Sequence, residues 1–387
     1  MTARSASEVT PSGKPRARAL GIPFSGTPGP LNAITDVPGL AVGYETLIQG
    51  DGVLRVRQGP VRTGVTAILP RGREGVGDPC AAGMTSFNGN GEMTGIAWIE
   101  ETGSLDLPVL ITNTHAVGAC HMGAIEWVVR NRPKLAEAWL LPVVGETWDG
   151  YLNDINGAHV KPEHAIQAID AAKSGAIEEG SVGGGTGMNC YAFKGGCGSA
   201  SRVVNYGNER YTVGAFLQAN FGSRHELTIA GVPVGRALAD DNPMEARRQA
   251  APAGAGSVIA ILATDAPLLP GQCKALARRV GMGLARTGTS GSHFSGDLFL
   301  AFSTGNRGAL KSRFPEGGAG PGEYDNLRFI PWGRMDPFYA AVAHAVEEAV
   351  VNALVANATM IGRDGHRTPA LPHDRLMALL RERRVIA

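Results

Sequence analysis

The feature that most constrains this chain is a Gly-Ser pair at the start of an apolar strand. Gly256 and Ser257 are followed by Val-Ile-Ala-Ile-Leu-Ala, and residues 250–255, which lack bulky side chains, lead up to them. Glycine has no Cβ, so its carbonyl group can be approached closely and its backbone can hold a strained conformation. These conditions suit attack by the Ser257 hydroxyl on the preceding peptide bond. The alternative interpretation is an ordinary Gly-Ser turn that leads into a strand.

Cleavage of that bond would give Ser257 a free α-amine. An unperturbed α-amine has a pKa of about 7.7–8.0, so at neutral pH it can serve as the base that activates the hydroxyl of its own residue. A short motif carries little weight without context. The rest of the chain therefore decides between the two interpretations.

Composition points to a globular protein. The 387 residues are 43% hydrophobic and 18% charged, and a net charge of +1 gives no general attraction to nucleic acid or to an anionic membrane. The five cysteines are odd in number and form no C-x-x-C pair, which favours a reducing compartment over a disulfide framework or a zinc site. Neither an apolar signal region nor 18 consecutive apolar residues occur, so we predict a cytoplasmic protein with no membrane span.

Short apolar runs predict strands and helices that are separated along the chain. Helices are predicted over 116–132, 162–172, 271–286 and 336–358, and strands within 32–46, 65–70, 94–99, 109–113, 140–146, 212–220, 257–264 and 297–303. Residues 1–18 are predicted to be a loose arm and 236–256 an exposed, mobile connector. This order predicts stacked sheets covered by helices.

Eight weak motifs occur together in a familiar order. They are Asn32-Ala-Ile-Thr-Asp-Val, Asn113-Thr-His-Ala-Val-Gly, Pro142-Val-Val-Gly-Glu-Thr-Trp-Asp-Gly, Gly185-Thr-Gly-Met-Asn-Cys-Tyr-Ala-Phe-Lys-Gly-Gly, the strand from Val213 to Asn220 with Phe-Gly, Gly256-Ser257, Ala263-Thr-Asp-Ala-Pro-Leu, and Ser295-Gly-Asp-Leu-Phe-Leu-Ala-Phe-Ser. On these motifs the chain resembles the L-aminopeptidase/D-esterases and β-aminopeptidases, which are self-processing N-terminal-serine peptidases. The resemblance runs from Arg18 to Met360.

The resemblance implies an α+β fold, a four-layer αββα sandwich of the N-terminal-nucleophile-hydrolase type. It implies a single catalytic domain over 1–387, cut into an α chain (1–256) and a β chain (257–387). The implied reaction is hydrolysis of an amide or ester bond next to a free amino group in small peptides, amides and esters. The family pattern includes no metal or other cofactor, and it suggests a homotetramer.

The resemblance also assigns two residues that would support the nucleophile Ser257 and its α-amine, the candidate general base. Ser295 and Asp297 match the family's second serine and its acidic residue, and positions two apart in a strand point to the same side. Ser295 would hydrogen-bond Ser257 and its amine, with Asp297 orienting the network. The alternative is a Ser-Gly-Asp turn entering a strand. Some β-aminopeptidases carry glutamate at this position, so the shorter aspartate leaves a preference for L-, D- or β-residues open.

Three further residues match binding positions of the family. Asn220 matches the asparagine that donates to the oxyanion, although it could simply close a strand. Glu146 matches the residue that binds the substrate's ammonium group from the rim of the site. The alternative interpretation is an exposed glutamate at the end of a strand. Trp148 is expected to form a wall of the pocket. Tyrosine, found near here in some relatives, donates to the oxyanion, and that role is not carried over to tryptophan.

Other candidates carry less weight. His115 and His121 lack the spacing of a helical zinc motif, and the glycine-rich loop at 183–187 lacks the Lys-Ser/Thr of a phosphate cradle. His293 is assigned to pocket lining at most, and Cys197 to buried packing. Two alternative functions stay open at this point: an ornithine acetyltransferase-like acyl transferase, which would use threonine as nucleophile, and an uncleaved scaffold without activity.

Overall fold

The computed structural model describes residues 5–245, 256–315 and 317–387. Two sheets form the centre of the molecule. The four-stranded sheet has the order β1-β2-β5-β6, with β1 Ala41–Gln49, β2 Val61–Leu69, β5 Val109–Asn113 and β6 Val143–Thr147. The six-stranded sheet has the order β4-β3-β12-β11-β10-β9, with β4 Ser104–Leu105, β3 Cys80–Gly89, β12 Ser295–Ser303, β11 Gly256–Thr264, β10 Glu209–Asn220 and β9 Gly196–Tyr206.

Most neighbouring strands run antiparallel. Only β5 with β6 and β11 with β12 are parallel pairs within the two sheets. Two small hairpins complete the strands: β7 Asn189–Cys190 with β8 Phe193–Lys194, and β13 Met360–Ile361 with β14 Arg367–Thr368. The helices are α1 Ile96–Thr102, α2 Val117–Asn131, α3 Pro162–Asp170, α4 Val234–Ala237, α5 Pro270–Ala277, α6 Val280–Arg286, α7 Asp336–Val355 and α8 His373–Glu382.

The layers are held together by three apolar cores. Alternate residues of facing strands, such as Ile68, Phe216 and Ile259, form the core between the two sheets. The opposite face of the six-stranded sheet packs against α7, and the outer face of the four-stranded sheet against α2 and α3. This is the αββα sandwich that the sequence predicted, since each sheet buries one face on the other sheet and one on helices.

Helix α7 is apolar enough and long enough to qualify as a membrane span by those criteria alone. Most of its apolar window is buried in the protein, against β9 and β10. The predicted stripe from Phe338 to Leu354 is fully buried, and the C-terminal half of the helix is buried on nearly every side. We therefore describe α7 as a core helix.

Several local predictions were wrong. The predicted strand at 94–99 is mostly α1, which begins after Gly95 in the left-handed region (φ 74°), because a short apolar run does not distinguish helix from strand. The predicted helix at 271–286 is two helices, α5 and α6, separated at 278–279. Strands β3 and β9 and helix α8 were not predicted, since glycine, serine and polar residues interrupt their apolar patterns.

The N-terminal segment is not a loose arm within its described part, 5–18. The Arg16 guanidinium is buried and donates to both oxygens of Glu179 at 2.8 and 3.0 Å, and to the carbonyl of Asn32 at 2.7 Å. The predicted connector is described only up to residue 245. There the Asp241 carboxylate accepts hydrogen bonds from Arg367 at 2.6 and 3.0 Å, and residues 246–255 lie outside the described residues.

The packing of α7 on β9 generates a stability prediction. A Cβ at Gly198 would overlap the carbonyl oxygen of Ala349 on α7, whereas a Cβ at Gly118 on α2 would meet no atom within 4 Å. We expect Gly198→Ala to lower the free energy of unfolding by about 1–3 kcal/mol through overpacking. Gly118→Ala should leave it unchanged or raise it by up to about 1 kcal/mol. Urea unfolding of both variants tests this, and equal stability would contradict the described packing.

Candidate active site

Ser257 lies at the start of a strand that is paired on both edges. It is opposite Asn220 of β10 in antiparallel register and opposite Gly296 of β12 in parallel register. Its side chain is 2% exposed, and its hydroxyl oxygen accepts a hydrogen bond from the backbone N–H of Trp148 at 3.4 Å. Side chains alternate along β11, so Ser257 shares the face of Ile259, which looks toward the other sheet.

The Asn220 side chain is fixed by two hydrogen bonds. Its Oδ1 accepts from the backbone N–H of Asn189 at 2.8 Å, and its Nδ2 donates to the carbonyl oxygen of Trp148 at 2.9 Å. Trp148 therefore uses its N–H on Ser257 and its C=O on Asn220. An amide NH₂ has two hydrogens, so one donor of Asn220 remains for a further acceptor.

Trp148 itself follows β6 directly, and its side chain is 46% exposed. The indole lies over Gly150, where a Cβ would come within 2.5 Å of the ring. The backbone of Trp148 thus belongs to the polar cluster around Ser257, while its ring is accessible at the surface; its role as a pocket wall stays a prediction.

Glu146 lies on β6, two residues before Trp148, and is only 3% exposed. Its Oε1 accepts from the backbone N–H of Glu92 at 2.8 Å and its Oε2 accepts from the Thr114 hydroxyl. Burial raises the pKa of the Glu146 carboxyl, and these two donors lower it. The carboxylate is thus buried and not at an exposed rim as the sequence analysis expected, because the segment around Glu92 covers it.

Ser295 and Asp297 form the predicted pair on β12. The Ser295 hydroxyl donates to Asp297 Oδ1 at 2.6 Å, and both side chains are buried. The Asn88 side chain donates to the second carboxylate oxygen, Oδ2, at 3.0 Å. Burial raises the pKa of Asp297, while the Ser295 hydroxyl, the Asn88 amide and the backbone N–H of Val258 lower it.

The expected hydrogen bond between Ser295 and Ser257 is not formed within the described residues. The parallel register explains this, because it places Ser295 beside Gly256 and Asp297 beside Val258. Residues that are paired in register share a face, so the Ser295 and Asp297 side chains lie on the face opposite the Ser257 hydroxyl. Ser257 and the Ser295–Asp297 pair are therefore on neighbouring strands, but their side chains point to opposite faces of the sheet.

The remaining sequence candidates have local partners. The glycine-rich loop donates its backbone N–H groups to strand threonines, Gly183 to Thr46 at 2.8 Å and Gly184 to Thr66 at 3.1 Å. The Sγ of buried Cys197 lies 3.3 Å from the carbonyl of Val182. These contacts agree with the structural interpretation of both.

The three histidines singled out earlier differ in position. His115 is held by its backbone N–H, which donates to Asn113 Oδ1 at 3.0 Å, and burial lowers the pKa of His121 on α2. His293 is exposed and packs edge-on against the Phe294 ring. No group of three or more His, Cys, Asp or Glu residues suited to a metal ion occurs within 5–245, 256–315 and 317–387.

Sequence reasoning missed several residues around this site, among them Asn88, Thr114, Asn189 and Lys194. Thr114, Asn189 and Lys194 lie inside motifs quoted for the resemblance, but no pattern in the sequence tells that they contact site residues. Asn88 opens the run Asn-Gly-Asn-Gly at the end of β3. Two asparagines alternating with glycines at a strand end are a recognisable signal for polar side chains placed beside a neighbouring strand.

Known proteins share this architecture. The L-aminopeptidase D-Ala-esterase/amidase of Ochrobactrum anthropi, described as a variant of the N-terminal-nucleophile hydrolase fold, superposes with a TM-score of 0.88 at 45% identity, covering 97% of this chain and 100% of that one. A β-aminopeptidase from Burkholderia sp. superposes with a TM-score of 0.85 at 44% identity, covering 95% and 98%. The chain therefore has the N-terminal-nucleophile hydrolase fold.

The chain belongs to peptidase family S58, whose model matches residues 32–368. The β-peptidyl aminopeptidase BapA of Sphingosinicella microcystinivorans is 48% identical over 381 residues, which are 96% of this chain and 93% of that relative. The chain is therefore a serine-type aminopeptidase. The resemblance, the fold and the enzyme class stated in the sequence analysis are confirmed, and the family favours a peptidase over an acyl transferase.

Lys194 generates a prediction that concerns the support of Asn220. Its side chain is fully buried, and Nζ donates to the carbonyls of Met188 and Gly195 at 2.7 Å each, directly behind Asn189. Burial lowers the pKa of Lys194 from 10.5 to about 7. Between these values the unfolded chain binds more protons than the folded one, so this group makes stability rise with pH, and the contribution is lost as pH falls through about 7.

We expect Lys194→Met to remove this dependence. From pH 7 to 8.5, the wild type should gain about 1–2 kcal/mol in free energy of unfolding relative to the variant. Urea unfolding at the two pH values measures the difference, and Lys134→Met, at an exposed lysine, is the matched control. The same pH dependence in Lys194→Met and wild type would show that Lys194 titrates in its ordinary range.

Proposed function

We propose that the chain cuts itself between Gly256 and Ser257, and that the freed Ser257 then hydrolyses amides and esters of small substrates that carry a free amino group. The observation that carries the proposal is the position of Ser257. It is buried at the start of the central strand β11, and Asn220 is paired opposite it. A Cβ at Gly256 would overlap the carbonyl oxygen of Asn220, which supports a steric need for glycine before the serine.

Self-processing would proceed as an acyl shift from nitrogen to oxygen, followed by hydrolysis. The Ser257 Oγ attacks the carbonyl carbon of Gly256, the C–N bond breaks, and the nitrogen takes up the proton that the hydroxyl gives. The product is an ester between Gly256 and the Ser257 oxygen. Water then cleaves this ester, leaving a carboxylate on Gly256 and a free α-amine on Ser257.

The two products, 1–256 and 257–387, would stay assembled. Strand β11, from the second product, lies between β10 and β12, and β12 is also paired with β3 of the first product. Separation would break the backbone hydrogen bonds of both ladders and expose the core between the sheets. The cut therefore creates an N-terminus without dissolving the fold.

In turnover, the α-amine of Ser257 takes the proton of its own hydroxyl, and Oγ attacks the substrate carbonyl. The second N–H of the Asn220 amide, which has no acceptor within the described residues, would donate to the oxyanion; one such donor is worth about 10²–10³ in rate. The α-ammonium then protonates the leaving amine, and water hydrolyses the acyl-enzyme. The backbone nitrogen of Ser257 lies in the plane of the sheet. It is therefore accessible to the Ser257 hydroxyl from one face and to Ser295 and Asp297 from the other.

The substrate's own ammonium group explains the buried Glu146. Among the residues that the structure describes, two neutral donors leave the carboxylate without a counter-charge within hydrogen-bond distance, and a carboxylate has about four acceptor positions. A substrate with a free amine supplies the missing cation. Relatives named as β-peptidyl aminopeptidases and β-aminopeptidase support β-amino residues as substrates, alongside the L- and D-residues of the Ochrobactrum anthropi protein's name.

Two finer proposals concern the whole protein. A reducing, cytoplasmic environment suits the five cysteines, which are all free and buried. A homotetramer of cut protomers is the assembly that the family resemblance suggests. Gel filtration with light scattering measures the second directly.

Self-processing is tested by intact mass spectrometry. We expect the wild type to give two fragments, the second beginning at Ser257, and Ser257→Ala to stay one inactive chain, since alanine has no nucleophile. A Ser257→Ala chain that still splits after Gly256 would contradict the mechanism. A wild type that stays uncut and inactive would favour the scaffold alternative.

Recognition of the free amine is tested at Glu146. We expect Glu146→Gln to raise KM for an amino-acid p-nitroanilide by about 10- to 100-fold, the size of one charge-assisted hydrogen bond, with a smaller change in kcat. Wild-type KM should also rise on acidification, because the raised pKa brings protonation of Glu146 closer to neutral pH. Glu101→Gln, at an exposed carboxylate on α1, is the control. Equal rates on N-acetylated substrate would contradict the role.

A further inference from the structure

One short segment contacts both halves of the site. Residues 88–92, here called the bridging segment, leave the end of β3 and pass over the start of β12 toward β6. Its even-numbered residues contact three different parts of the site, and glycines stand between them. The segment was not singled out from the sequence, and the mechanism above does not use it.

The first contact is that of Asn88 with the Ser295–Asp297 pair. Its Nδ2 donates to Asp297 Oδ2 and to the carbonyl of Ser292, both at 3.0 Å. The register between β3 and β12 shifts at this point: Leu298 is opposite Ser86, and Asp297 is opposite Asn88, so Phe87 is the extra residue. Without this bulge, every side chain beyond it would move to the other face. The irregularity thus directs an amide at Asp297.

The second contact is that of Asn90 with the segment before Ser295. Its Nδ2 donates to the carbonyl oxygen of Phe294 at 2.9 Å. The same carbonyl oxygen accepts the backbone N–H of Gly256 at 3.3 Å. Asn90 therefore fixes the carbonyl oxygen of Phe294, which in turn positions Gly256 on the N-terminal side of the proposed cut.

The third contact is made by the backbone. The N–H of Glu92 donates to Glu146 Oε1, and Gly91 lies against Gly296, where an added Cβ would be 3.2 Å from both the Gly296 Cα and Glu146 Oε1. A Cβ at Gly296 would overlap the carbonyl oxygen of Asn90. Glycines at both positions let the bridging segment lie directly on the strand that carries Ser295 and Asp297.

We propose that the bridging segment positions the two halves of the reaction separately, Asn88 by orienting Asp297 for turnover and Asn90 by seating Gly256 for self-processing. The proposal rests on the proposed function, since it takes Ser257 as the nucleophile. Both asparagines are positioning residues, because neither touches Ser257 within the described residues.

The surroundings of Asp297 explain why Asn88 matters. The groups that face its carboxylate are the Ser295 hydroxyl from its own strand, the Val258 N–H from β11 and the Asn88 amide from β3, and none of them is charged or titrates near neutral pH. After the cut, two ionisable groups are added beside them, the α-amine of Ser257 and the new carboxylate of Gly256, which is paired with Ser295. Loss of Asn88 therefore leaves Asp297 with fewer donors and a higher pKa.

The experiment uses the full chain, with fraction cut measured by intact mass over time after cell-free synthesis, and kcat and KM measured per cut chain. For Asn88→Ala we expect kcat to fall about 10- to 100-fold and KM to change less than about threefold, because a misplaced Asp297 affects turnover more than substrate binding. Asn88→Asp should be worse than Asn88→Ala, because it keeps the volume but places a second carboxylate against Asp297.

For Asn90→Ala we expect self-processing to slow about tenfold or more, with a smaller loss of kcat in the cut fraction than Asn88→Ala shows. Asn131→Ala is the matched control, because Asn131 also donates to a backbone carbonyl, that of Trp127 at 2.9 Å, but at the end of α2 away from the site. It should process and turn over as the wild type does.

Two outcomes would overturn the proposal. If Asn88→Asp keeps more activity than Asn88→Ala, the residue only fills space. If Asn90→Ala is cut at the wild-type rate, the hydrogen bond from Asn90 to Phe294 is not needed to position Gly256. Both outcomes are read against a wild type that is cut before Ser257 and active. A wild type that is not cut there contradicts the proposed function itself, which separates the two failures.

Discussion

The pairing of β11 on both of its edges is the constraint on which the site depends. The strand is antiparallel to β10 and parallel to β12, so its register is set twice over by backbone hydrogen bonds. A slip of one residue would turn every side chain of β11 to the other face and expose the core. Ser257 is consequently opposite Asn220 and Gly296, and Ser295 of β12 is next to Gly256. The β10–β11 and β11–β12 pairings thus set the geometry of the candidate site.

The second requirement is a close approach of the two sheets where the site lies. Glu146 and Trp148 come from the four-stranded sheet, whereas Ser257 and Asn220 come from the six-stranded one. Gly145 faces Ile259 across the gap, and an added Cβ there would be 3.1 Å from the isoleucine side chain. This small residue lets the backbone of Trp148 come within hydrogen-bond distance of both Ser257 and Asn220. The glycine in the Val-Val-Gly-Glu motif is thus explained by packing.

Burial of charge gives the site its electrostatic character. Burial raises the pKa of Glu146, Asp297 and Asp149, the last to about 7, and lowers that of Lys194 to about 7. Buried ionisable groups are costly unless they are hydrogen-bonded, and each of these has such partners. Glu146 and Asp297 have only neutral hydrogen-bond partners within the described residues. In the proposed function, the cations that suit them are the α-amine of Ser257 and the ammonium of the substrate.

How much the sequence determined differs between the fold and the site. Strong apolar periodicity predicted α2, α3, α7, β5 and β11 close to their observed bounds, and the ordered motifs predicted the sandwich and the candidate residues. The sequence could not tell that 94–99 is mostly helical, that Arg16 is anchored to Glu179, or that Glu146 is buried, because each depends on partners distant along the chain. Strand parity predicted that Ser295 and Asp297 share a side. Only the tertiary structure decided which side, because the register between β11 and β12 is a property of two strands and not of either sequence alone.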